Sequence, residues 1–209
     1  MISGIDALRR LRDGNQRFTL HTNGAGVALR QAERAELMPS EPPFAIVLGC
    51  SDSRVPAEIV FDQGLGDLFV IRVAGNIVAP SQVGSVEFAA ERFGTRLVVV
   101  LGHTQCGAIE ATLDELTRPT ENQSRNLRTI VNRVRPSVAA LLETDLKHDL
   151  DALRRKAVRL NIRASADHLR HGSEVLEQLI LERGLVVVGA EYAIETGVVD
   201  FFDGVPAGA

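Results

Sequence analysis

RLVVVLGH, residues 96–103, is six apolar or small residues between an arginine and a histidine. Three more runs share its character: FAIVLGC (44–50), DLFVIRVAG (67–75) and LVVVGAEY (185–192). All have strand length and lack polar alternation. Strands buried on both faces have that signature, and it belongs to parallel sheets covered by helices. Helical patterns fall between the runs, at 56–61, 81–93 and 173–183. Alternation of strand and helix predicts an α/β fold with a central, mostly parallel sheet. VVDFF (198–202), after a turn at Glu195–Gly197, reads as a final edge strand.

Working outward, Ile5, Leu8, Leu11 and Phe18 share one face of an N-terminal helix over 4–18. A second helix is expected over 28–38, ended by Pro39, Pro42 and Pro43. Together they make an N-terminal helical arm of about 4–38. Residues 107–171 hold no strand-like run and read as a helical segment that Pro119 and Pro136 break. No repeat or linker divides the 209 residues, so a single domain is expected.

Apolar residues are 45% of the chain and charged residues 24%, an ordinary globular balance that excludes disorder and collagen. The net charge of −4 argues against general nucleic-acid binding. Residues 118–171 carry twelve Lys and Arg against six Asp and Glu, which leaves the rest at −10. Long, solvated, Arg-rich helices account for that asymmetry. No apolar run approaches the ~20 residues that span a bilayer. The start lacks a signal-peptide core, so the cytoplasm is expected, with an exported precursor left open.

Two cysteines, Cys50 and Cys106, cannot form a disulfide framework. Their positions are informative. In parallel α/β sheets, sites form at the carboxyl ends of strands. The 44–50 run leads into Cys50-Ser51-Asp52-Ser53-Arg54, and the 96–103 run into His103-Thr104-Gln105-Cys106-Gly107. If the two strands are neighbours, two thiols and an imidazole converge. Cys₂His suits a catalytic zinc that keeps one position for water. Spacing alone leaves structural thiols, a disulfide pair or redox chemistry open. Walker, dinucleotide, HExxH and GxSxG patterns are absent.

CSDSRV (50–55) and GHTQCGA (102–108) resemble the signatures of the β-class carbonic anhydrases. FDQGLGDLFVIRVAGN (61–76), EFAAERFGTRLVVVLGH (87–103) and VVVGAEYAIETGVVDFF (187–202) are similar to that family as well. The likeness covers roughly residues 4–203 and is least diagnostic over 112–170. The resemblance implies that Cys50, His103 and Cys106 bind Zn²⁺, with Asp52 and Arg54 as a carboxylate–guanidinium dyad. It implies reversible hydration of CO₂ to bicarbonate by zinc-activated water. Gly107 would offer a backbone N–H to substrate. Phe69 and Ala74 would shape the pocket across a dimer interface, in a homodimer or a dimer of dimers.

Two departures stand out. In a subset of members a Trp–Arg–Tyr trio accompanies a closed site, with the aspartate as fourth metal ligand. Arg72 and Tyr192 match that trio, but Val47 stands where the tryptophan would be. An open, water-bearing zinc is therefore expected, with Asp52 on the metal only in a closed form. Glu41 stands where many open-site members carry a substrate-binding glutamine. The rivals are CS₂ or COS hydrolysis at the same centre, a non-catalytic zinc or regulatory module, and a metal-free dithiol. His21, His148, His168 and His171 are proton-shuttle candidates by type only.

Overall fold

The computed structural model describes residues 2–20, 42–119 and 124–208. Five strands form one sheet: β1 (Ala45–Gly49), β2 (Leu68–Arg72), β3 (Leu97–His103), β4 (Val186–Tyr192) and β5 (Val199–Asp203). Their order is β2-β1-β3-β4-β5. β1 to β4 run parallel, and β5 lies antiparallel to β4 at the edge. Every residue of β1 and β3 is buried, as their unbroken apolar character requires.

Successive side chains in a strand point to opposite faces, so each run supplies two cores. Ile46, Leu48, Val98 and Val100 meet α3 (Pro80–Arg92), α4 (Gly107–Thr117), α5 (Arg125–Val138), α6 (Leu150–His171) and α7 (Glu174–Arg183). Val47, Val99 and Leu101 meet α1 (Gly4–Leu20) and α2 (Ala57–Val60) on the other side. The result is a mostly parallel sheet flanked by helices.

α1 buries Ala7, Leu8 and Leu11 and lies so close that a Cβ on Gly14 would sit 1.8 Å from the Phe61 carbonyl. Asn15 anchors it. Its Nδ2 donates to the carbonyls of Val60 (3.0 Å) and Gly197 (2.9 Å), and its Oδ1 accepts from the Val199 N–H at 2.9 Å.

Two expectations need correction. The 67–75 run does not stay extended: β2 ends at Arg72, and Ala74–Asn76 form a 3₁₀ turn with Gly75 at φ 71°. Pro136 does not end its helix either. It lies inside α5, which runs to Val138 before tightening into 3₁₀ turns over Ala139–Glu143 and Asp145–His148. A proline two residues from a helix end removes little, because the chain is about to change hydrogen-bond pattern anyway. The expected 28–38 helix, His21 and Glu41 lie outside the described residues.

Candidate metal centre

β1 and β3 are neighbours, so their carboxyl ends bring Cys50, His103 and Cys106 together. One donor atom from each lies within 4.8 Å of the other two, and all three residues are buried. The thiols are free, with Sγ atoms 4.0 Å apart, well beyond the ~2.05 Å of a disulfide. His103 Nδ1 lies 2.8 Å from the Thr104 carbonyl and is assigned as the N–H donor. That tautomer leaves the Nε2 lone pair free. Nε2 is fully buried and has no hydrogen-bond partner. Orphaning a buried polar atom costs about 1–3 kcal/mol. The cost is recovered if Nε2 ligates a metal, and a donor set of two sulfurs and one imidazole fits a borderline-soft ion.

Proton sharing is built into the pair. The Cys106 thiol beside Cys50 pulls Cys50 well down, against burial, with help from His103 and the Gly75 N–H. The same contact, with burial, pushes Cys106 upward. Burial pulls His103 down, but the negative charge at Cys50 beside it, with the Thr104 carbonyl and Asp52, outweighs that and raises it. A bound metal displaces these protons, so affinity should rise with pH.

Asp52 and Arg54 meet through a two-point fork. Arg54 Nε donates to Asp52 Oδ1 at 2.9 Å and Nη2 to Oδ2 at 2.8 Å, and the Arg54 backbone N–H also reaches Oδ1 at 2.9 Å. Arg54 holds the Asp52 carboxyl well below the usual carboxylate range. Asp52 Oδ2 is 4.0 Å from His103 Nε2, and Asp52 is not one of the three clustered donors. Arg72 donates Nε to the Cys50 carbonyl at 2.9 Å and Nη2 to the Asp52 carbonyl, which fixes the path leaving β1.

A cleft of about 860 Å³ opens over this corner. Asp52, Arg54, Cys106 and Gly107 line it, with Glu110 and Glu195. Gly107 opens α4, and a Cβ there would meet nothing within 4 Å. Asp151, Arg154, Arg155 and Val158 complete the wall from one face of α6. Their i, i+3, i+4, i+7 spacing marks one helix face, but a face so rich in charge is indistinguishable in the sequence from solvated surface. Glu195 was named only as part of a turn. Phe69 and Ala74 do not line the cleft of their own chain. Phe69 packs with Phe88 and Phe93 beside the edge strand, at ring distances of 6.3 and 6.0 Å. His148, His168 and His171 are exposed and away from the cleft.

Sheet order and donor set together define an α/β protein with a three-donor cluster suited to a metal, built on two adjacent strand ends. A family model described as carbonic anhydrase matches residues 45–199. A carbonic anhydrase of Mycolicibacterium smegmatis is 46% identical over 138 residues, which span 64% of this chain and 64% of that one. Carbonic anhydrase 2 of Mycobacterium tuberculosis is 35% identical, over 92% of this chain and 90% of its own. The crystal structure of the β-carbonic anhydrase CafA of Aspergillus fumigatus superposes with a TM-score of 0.73 at 26% identity, covering 91% of this chain and 92% of that one. The chain belongs to the carbonic anhydrase family, and its fold is that of the β class.

Proposed function

We propose that the chain hydrates CO₂ reversibly to bicarbonate and a proton, using a zinc ion held by Cys50, His103 and Cys106. The orphaned Nε2 of His103 beside two buried thiols, in a chain of this family, carries the reading. When bound, zinc supplies an acidified water that adds to CO₂ near neutral pH. Two thiolates cancel the ion's formal charge, so its Lewis acidity is lower than in a three-histidine site. That places more of the work on the protein. Asp52, kept ionised and off the metal by the Arg54 fork, accepts a hydrogen bond from the nucleophile and turns its lone pair towards CO₂. Lysine lacks the planar fork and would not replace Arg54. Gly107 offers the substrate a backbone N–H from the first turn of α4, where the helix itself leaves N–H groups unused.

The site is read as open. Arg72 is committed to the carbonyls of Cys50 and Asp52, and Val47 is fully buried in β1. The two unpaired thiols support a reducing compartment and hence the cytoplasm. The apolar β2 edge supports a homodimer or a dimer of dimers.

Zinc content and CO₂ hydration against pH, measured on one sample, test the function. About one zinc per chain is expected, with turnover that rises with pH and disappears on chelation. A zinc-loaded sample inactive up to about pH 9 overturns the proposal, since a metal-activated water should have ionised by then.

A further inference from the structure

We propose that Glu195 is a positioning residue of the metal centre. Its carboxylate holds the two-residue turn Thr104-Gln105 in the shape that sets His103 and Cys106 against one another. This rests on zinc occupying those donors.

Glu195 lies on the turn between β4 and β5, yet both its oxygens are spent on the turn after β3. Oε2 accepts from Thr104 Oγ1 at 2.8 Å, and Oε1 accepts from Gln105 Nε2 at 2.6 Å. Thr104 is caught again by the same segment: its Oγ1 accepts from the Ile194 N–H at 3.1 Å, and its own N–H donates to the Tyr192 carbonyl at 3.0 Å.

Both carbonyls of the clamped turn serve the site. The Thr104 carbonyl takes the Nδ1–H of His103, which keeps Nε2 free for the metal. The Gln105 carbonyl takes Arg54 Nη2 at 3.3 Å, which ties the dyad to the same turn. The turn has a strained backbone. Gln105 has φ 56°, the left-handed region that residues bearing a side chain rarely adopt. Without an external hold, Gln105 would relax and carry both carbonyls away from His103 and Arg54. Glu195 supplies the hold, and it takes a carboxylate to accept from both donors; an amide offers one acceptor.

The test is zinc affinity, measured by chelator competition on folded protein, with CO₂ hydration alongside. Glu195→Ala should weaken zinc binding about tenfold, the low end for groups that orient ligands. Glu195→Gln should weaken it less, and it serves for the same comparison if the alanine variant fails to fold. Gln105→Gly added to either variant removes the backbone strain and should restore most of the affinity. A role in bulk charge or surface structure would not respond to that second change. Wild-type protein is measured first. If it binds no zinc, the proposed function fails. If it binds zinc, an unchanged affinity in Glu195→Ala overturns the inference, and so does a loss that Gln105→Gly leaves unrepaired.

Discussion

In the proposed reaction, Asp52 carries two demands that its neighbour reconciles. It must be ionised to accept a hydrogen bond, and it must stay off the metal. Arg54 meets both with one fork at 2.8 and 2.9 Å. Asp52→Asn keeps the shape and loses the charge. It should lower turnover on the order of 10²-fold, as removal of a preorganised charge-orienting group does, while zinc per chain stays at the wild-type level. Full activity in that variant would remove the assigned role. The same substitution has a signature in stability. Because Arg54 depresses the folded-state pKa of Asp52, the pair stabilises the fold above the unfolded value near ~3.9 and loses that contribution as pH falls below it. On metal-free protein, the gap in melting temperature between wild type and Asp52→Asn should be constant from neutral pH to about pH 5 and close below about pH 4. A gap that widened in acid would contradict the assignment.

At the scale of elements, α1 is tied to the site through a relay of backbone contacts. Asn15 holds Gly197 and Val199, and that turn carries Glu195. Gly14 permits the approach. Helix propensity alone says Gly14→Ala should stabilise by about 1 kcal/mol. Packing says the reverse: a Cβ 1.8 Å from a backbone oxygen must push the helix outward, and overpacking costs about 1–3 kcal/mol before any Asn15 bond is lost. We expect a net loss of about 2 kcal/mol in urea unfolding, and a stabilised variant would sink the argument. β1, β3 and β4 were legible in the sequence because burial on both faces leaves only apolar choices. The end of β2 was not, since Val73 and Ala74 look like more strand and only the left-handed Gly75 breaks it. Cys50, His103 and Cys106 were legible because rare residues at strand ends stand out. The cleft face of α6 was not, because arginines on a helix look like any solvated surface. Glu195 was out of reach for another reason: its partners lie 90 and 91 residues away, and no local pattern encodes such a contact.

Across the whole molecule, the two sheet edges are treated differently, and the excess positive charge of residues 118–171 explains one of them. Arg159 pairs with Glu191 at 3.1 Å and Asp200 at 2.9 Å, Arg170 pairs with Asp203 at 2.7 Å, and Arg159 stacks over Phe202 at 3.7 Å. The β5 edge is thus screened by charged side chains, a guard against pairing with another chain. Among the described residues, no comparable ion pairs lie over Leu68 to Ile71 of β2. Leu68 to Ile71 are only half-buried, and Phe88 beside them is 53% exposed, edge-on to Phe93 at 5.6 Å. An unguarded apolar edge flanked by exposed aromatic surface is where a second copy of the chain should dock. Phe69 lies on this side and, like Ala74, lines nothing in its own cleft, so a partner is what would bring them to a site. Phe88→Glu places a charge at the centre of that surface. Light scattering should find the wild type as a dimer or larger and the variant as a monomer. The variant should keep its zinc, because all three proposed ligands come from one chain, and lose turnover, because the proposed pocket wall from the partner is gone. If Phe88→Glu stays oligomeric, the β2 edge is not the contact. If it is monomeric and fully active, the partner contributes nothing to the pocket.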